Sequence, residues 1–283
     1  MSNDETRPRR FFHTVPAEPM ALPEPVFPAA RPDGAAFQWT GLPNERIVRN
    51  VTAPALYPVR PADGRGNGRA VLVVPGGGYN FVAMENEGLP VARRLADAGF
   101  TAFVLTYRVQ PTPASDEGFA DQINREIAAR FAAPAATAAD LPPYGPAVED
   151  ALAALRWLQG NVQDYGCGPR VGFLGFSAGA RTGRAIVEQA DAADMPSTLA
   201  LVYGGLFATT PRAPVPPLFV AQAADDPLFP TVGIDLLTAW QAAGQRYELH
   251  LYERGGHGFG TIPRGTTSDL WLDAYLAWLQ RQQ

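Results

Sequence analysis

The apolar positions of this chain alternate between two rhythms. Short continuous runs bounded by glycine or proline read as strands buried on both faces: "AVLVVP" (70–75), "TAFVLTYR" (101–108), "RVGFLGF" (170–176), "TLALVYGG" (198–205) and "PLFVAQAAD" (217–225). "YELHLYE" (247–253) reads as a further strand. Between them stand segments with helical spacing: "LPVARRLADAG" (89–99), "AVEDALAALRWLQGNV" (147–162), "AGARTGRAIVEQA" (178–190), "VGIDLLTAWQAAG" (232–244) and "TSDLWLDAYLAWLQRQ" (267–282). In 147–162 the face made by Val148, Ala151, Leu152, Leu155 and Val162 is apolar. Buried strands alternating with helices predict a parallel sheet covered on both faces, with its site beyond the carboxyl ends of the strands.

Three stretches depart from the alternation. Residues 1–44 are proline-rich and without period, and are expected as an irregular N-terminal arm on the domain formed by 45–283. Residues 45–60 read as strands near a sheet edge, where their prolines are tolerated. Residues 111–146 are too long for a plain connection. They predict a short helix at about 119–132 followed by an Ala/Pro-rich tract, with a cap over the site weighed against a surface insertion.

Composition narrows the chemistry. The chain has 283 residues, 46% of them hydrophobic and 18% charged, enough to bury a sizeable core. A net charge of −5 gives no electrostatic case for nucleic acid. All 23 basic residues are arginine, read as a composition bias, so Schiff-base lysines, phosphate-loop lysines and Ser–Lys dyads are excluded. The single cysteine, Cys167, excludes an intrachain disulfide. No apolar run follows the Arg–Arg pair near the N-terminus, so neither a signal peptide nor a membrane span is expected, and the location expected is cytoplasmic.

The candidate chemistry collects at strand ends. Ser177 lies in Gly175–Phe176–Ser177–Ala178–Gly179, between a buried strand and a helix, where a nucleophile elbow is expected; the alternative is a helix N-cap serine. A serine nucleophile needs a base, and there are three histidines. His13 falls in the arm, His250 inside a strand, and His257 in the glycine-rich "ERGGHGFG" after the last strand, which makes His257 the candidate. Asp225 and Asp226 end another strand, and either could orient the histidine; Asp226, which begins D-P-L-F-P, is preferred. Three glycines in "VVPGGGYN" (73–80) suit an oxyanion hole built from the Gly77, Gly78 and Ala178 amides, against the alternatives of a glycine-rich turn or a phosphate cradle, the latter disfavoured because no G-K-[ST] or G-x-G-x-x-G follows. Tyr79, Asn80, Phe229 and Phe259 neighbour these loops and are candidate substrate-binding residues, with ordinary packing the alternative for each. The scheme calls for no metal and no cofactor.

These motifs, with Glu87–Gly88 and "FVLTYR" (103–108), resemble the α/β-hydrolase superfamily, and within it the carboxylesterase and acetylxylan-esterase-like branch, over about residues 47–282. The resemblance implies an eight-stranded, mostly parallel sheet. It also implies hydrolysis of short-chain, typically acetyl, esters by Ser177, Asp226 and His257, with acetylated sugars or xylan fragments as substrates. Three features depart from that pattern: Pro75 stands where related esterases often carry histidine, Ala180 replaces a second glycine, and the 111–146 insertion is long. A general carboxylesterase is an alternative, and an acyltransferase shares the same acyl-enzyme. A serine peptidase-like hydrolase would want a gating domain for which the chain has no room. A dienelactone-hydrolase-like enzyme would carry cysteine at 177. A catalytically silent scaffold would be expected to lack a triad member.

Overall fold

The computed structural model describes residues 12–27, 37–132, 142–229 and 233–282. Parts of the expected N-terminal arm, the Ala/Pro-rich tract of the insertion and the end of the D-P-L-F-P segment lie outside the described residues.

The apolar runs become β4 (Ala70–Val74), β6 (Thr101–Thr106), β7 (Val171–Phe176), β8 (Leu199–Val202), β9 (Leu218–Ala223) and β10 (Tyr247–Tyr252). With β3 (Ala55–Val59) they make one seven-stranded sheet in the order β10-β9-β8-β7-β4-β6-β3. All neighbours in it run parallel except β3, which pairs antiparallel to β6. Pro58 lies in β3, at the sheet edge, where a missing N–H is tolerated. Every residue of β4, β6, β7, β8 and β9 is buried, as strands covered on both faces require.

The sheet has seven strands among the described residues, not the expected eight. β1 (Gln38–Leu42) and β2 (Glu45–Arg49) leave it and form a small antiparallel sheet with β5 (Phe81–Val82). β1 lies inside the stretch expected to be irregular, and its register with β2 buries Ile47 and Val48.

Five helices occupy the places their spacing predicts or nearly so: α1 (Leu89–Asp97), α3 (Gly145–Asn161), α4 (Ala178–Gln189), α5 (Asp235–Ala242) and α6 (Trp271–Gln280). The predicted face of α3 is turned inward, with Leu152 half-buried. A sixth, α2 (Asp116–Ala132), starts three residues before the helix expected in the insertion. Each fully buried Leu or Phe of the shared core contributes about 1.5–3 kcal/mol, and the result is a rigid platform for the loops at the strand ends. Among the described residues no helix is long and apolar enough to cross a membrane.

Candidate active site

The loops after β4, β7, β9 and β10 leave the carboxyl ends of parallel strands, so they meet on one side of the sheet. The tightest turn lies between β7 and α4. Ser177 takes φ 48° and ψ −110°, a conformation that costs a non-glycine residue about 1–3 kcal/mol. Its surroundings hold it there. A Cβ on Gly175 would lie 2.4 Å from the Gly179 carbonyl oxygen, and one on Gly179 would lie 2.0 Å from that of Val74. Only side chains reduced to hydrogen let α4 begin this close to the sheet. Ala180, the departure from a second glycine, is accommodated across the gap: a Cβ on Gly204 would lie 2.6 Å from the Ala180 methyl.

Ser177 occupies the N-cap position of α4, but its side chain caps nothing. Its Oγ lies 2.8 Å from His257 Nε2. His257 Nδ1 lies 2.9 Å from Asp226 Oδ2. With Asp226 ionised, Nδ1–H donates to the carboxylate, and Nε2 is left as the acceptor for the serine hydroxyl. The carboxylate is buried and further fixed: Gln222 Nε2 donates to Oδ2 at 3.1 Å, and the Leu228 and Phe229 N–H groups donate to Oδ1 at 2.8 and 3.3 Å. Asp225 faces solvent and does not touch the histidine ring. Its Oδ1 accepts the Gly256 N–H at 2.7 Å, tethering the histidine loop by its backbone. His13 and His250 stand apart; His250 Nε2 pairs with Glu248 Oε1 at 2.7 Å.

The glycine loop passes beside the serine. A Cβ on Gly76 would lie 2.8 Å from Ser177 Cβ. Gly77 has φ 127°, and a side chain there would run into the Phe81 carbonyl, so the turn requires glycine. Among the described residues no protein acceptor takes the Gly77 or Gly78 N–H. The Ala178 N–H, in the first turn of α4, has no partner within its helix. The Ala178 N–H and the positive end of α4 therefore adjoin the serine, and the Gly77 and Gly78 amides follow directly on the glycine that lies against it.

The four candidate binding residues are all buried. Tyr79 donates its hydroxyl to the Ala178 carbonyl at 2.9 Å, tying the glycine loop to α4. Asn80 Nδ2 donates to Glu126 Oε2 of α2 at 2.7 Å. The Phe229 ring lies 5.6 Å from that of His257, and Phe259 packs on Tyr203 with ring centres 4.6 Å apart. Phe229 is the one of the four whose ring contacts a member of the relay.

Several neighbours of the site carry no motif of their own. Asn86 pins the histidine loop: its Nδ2 donates to the Gly258 carbonyl at 3.0 Å, and its Oδ1 accepts the Thr261 and Ile262 N–H groups at 2.8 and 3.1 Å. Tyr203, at φ 40°, sets its ring 5.2 Å from that of His257. Arg130 of α2 donates to the Leu228 carbonyl at 2.9 Å and lies over the Phe229 ring. The available signals were the Glu87–Gly88 pair, which has Asn86 beside it, and Tyr203–Gly204–Gly205 at a strand end.

Comparison with known proteins follows the same lines. The chain is 26% identical over 229 residues to an acetylxylan esterase of Xylanibacter ruminicola, covering 69% of this chain; it spans only 42% of that protein's length. An α/β hydrolase from a Medee basin deep-sea metagenome library shares the fold with a TM-score of 0.60 at 21% identity, over 83% of this chain and 92% of that one. An acetyl ester-xyloside bifunctional hydrolase of Caldicellulosiruptor lactoaceticus does so with 0.57 at 21% identity, over 80% and 87%. The family model described as the dienelactone hydrolase family matches residues 56–267. That span includes Ser177, so the expectation that cysteine at this position separates the chain from such enzymes is corrected: kinship rests on the whole span, not on the nucleophile. On that span the chain belongs to the dienelactone hydrolase family, within the α/β-hydrolase superfamily.

Proposed function

We propose that the chain is a serine esterase that cleaves short-chain, chiefly acetyl, esters of small molecules, with acetylated carbohydrate as the substrate class. The observation that carries this reading is the relay from Ser177 Oγ to His257 Nε2 at 2.8 Å and from His257 Nδ1 to Asp226 Oδ2 at 2.9 Å, on a strained elbow at the start of α4.

In this scheme Ser177 Oγ attacks the ester carbonyl carbon while His257 Nε2 takes its proton. The oxygen of the tetrahedral intermediate, now negative, accepts from the Gly77, Gly78 and Ala178 amides. The intermediate collapses, the alkoxy oxygen leaves with the proton from His257, and an acyl-enzyme remains. Water, deprotonated by the same histidine, attacks the acyl carbon; the carboxylic acid departs and Ser177 recovers its proton. Asp226 stays ionised throughout and stabilises the imidazolium.

The acetyl and sugar assignments rest on the motif resemblance and on the acetylxylan esterase relative. The test is hydrolysis of p-nitrophenyl acetate, butyrate and octanoate beside acetylated xylo-oligosaccharides, with S177A as control. The expected result is preference for acetate, release of acetate from the sugars, and a loss of roughly a thousandfold or more in S177A. Preference for longer acyl chains with the sugars untouched would make the chain a general carboxylesterase. An S177A variant as active as the parent would sink the serine mechanism.

A further inference from the structure

Glu87 is a buried carboxyl that the scheme above leaves unused. It lies in the turn Met84–Gly88 that leads into α1. Its Oε2 accepts the N–H of Gly76, the residue before the two proposed oxyanion glycines. Its Oε1 accepts the hydroxyl of Tyr203 at 2.9 Å. The Tyr203 ring in turn stands edge-on to His257, with ring centres 5.2 Å apart. One carboxylate thus reaches both the glycine loop and the back of the histidine. The peptide between Pro75 and Gly76 is held at both ends, since its carbonyl accepts the Tyr107 hydroxyl at 2.8 Å. Tyr107 and Tyr203 are fully buried, so neither contact is exchanged with water.

Burial pushes the Glu87 carboxyl up, while the Gly76 N–H, the Tyr203 hydroxyl and the charge of His257 draw it back toward ionisation. Both oxygens receive donors, which is the pattern a carboxylate satisfies. A core position needing only volume would be filled better by an apolar side chain, because a buried carboxylate is costly unless each oxygen is paired.

From this geometry we propose that Glu87 is a positioning residue of the catalytic machinery: one oxygen fixes the oxyanion loop through Gly76, and the other fixes the seat of His257 through Tyr203. The proposal rests on the esterase reading and extends it. Glu87 touches no reacting atom. It acts when the transition state needs the Gly77 and Gly78 donors and the imidazole in one fixed relation, and a misplacement of about 1 Å in such a constellation costs on the order of a hundredfold.

Gln at 87 keeps the shape but offers one acceptor oxygen, so it can serve Gly76 or Tyr203 and not both. Phe at 203 removes the hydroxyl alone. The experiment compares wild type, E87Q, Y203F and S177A for kcat and KM on p-nitrophenyl acetate, for inhibition by a trifluoromethyl ketone that forms a tetrahedral adduct, and for the rate of covalent labelling by a fluorophosphonate. Thermal melts accompany each. E87Q is expected to lose roughly ten- to a hundredfold in kcat with KM within about twofold, and to bind the ketone more weakly by a matching factor. Y203F is expected to lose about three- to tenfold in kcat. A folded E87Q with the parent's kcat and ketone affinity would overturn the proposal. So would a loss confined to KM or to the melting temperature. Should E87Q not fold, Y203F decides, and a parental kcat there overturns the second half of the proposal while labelling at the parental rate overturns the whole. Failure of the esterase reading looks different: the wild type itself turns over no ester, and the labelling rates alone then judge Glu87.

Discussion

Asp225 and Asp226 are neighbours of one type, and the fold gives them different tasks. Asp226 meets the imidazole and is buried; Asp225 faces solvent and holds the backbone of Gly256. D226N is therefore expected to lower kcat by about three to four orders of magnitude, since an amide favours the wrong histidine tautomer. D225N, which still offers an oxygen to Gly256, is expected to lose only a few-fold. Steady-state kinetics on one activated ester separates the two, and a reversed ranking would exchange the roles. The residue scale is also where the sequence is most informative. Ser177, His257 and the aspartate pair could be named because each occupies a short, glycine-marked or proline-marked segment after an apolar run. What could not be read was how Glu87 meets Tyr203 and how Asn86 meets the histidine loop, because these contacts link residues more than a hundred positions apart.

At the scale of elements, α2 ties the two sides of the site together. Through Glu126 it meets Asn80 beside the glycine loop, and through Arg130 it meets the loop that carries Asp226. These residues lie four apart, one turn of helix, and so share a face. Burial lowers the affinity of the Arg130 guanidinium for its proton, and the charge of Asp226 raises it. R130A removes a hydrogen bond to the Leu228 carbonyl and a cation over Phe229. It is expected to raise KM by several-fold and change kcat less, checked by comparing acyl chain lengths. The helix was expected from about residue 119; its first turn begins at Asp116, where the carboxylate pairs with Arg49 at 3.0 Å. That partner comes from β2, a contact no local pattern announces. The same holds for β1, whose pairing with β2 overrides a proline-rich neighbourhood. The buried strands, by contrast, were legible because burial on both faces leaves an uninterrupted apolar run.

For the molecule as a whole, acid groups gathered under one edge of the site couple folding to pH. Burial pushes the Glu45 carboxyl up to about 8, and the nearby Glu87 and Glu85 charges add to the rise. Because the folded chain holds this proton more tightly than the unfolded chain, the group's contribution is complete at low pH. It is lost as pH rises from about 4.5 to about 8. E45Q should flatten that part of the stability curve and gain on the order of 1–2 kcal/mol over the parent at pH 8, less than the full shift implies because the side chain keeps some solvent. Denaturant titrations across that range read the difference; parallel curves for parent and variant would refute it. The elbow at Ser177 sets a different balance. The backbone there is held where glycine would rest more easily, so the position that the proposed chemistry depends on is one where the fold is weaker than it needs to be. Selection for heat resistance alone would drift toward glycine at 177 and discard the nucleophile. A screen for robust variants of this chain must therefore keep turnover as a condition, or it will enrich well-folded molecules that do nothing.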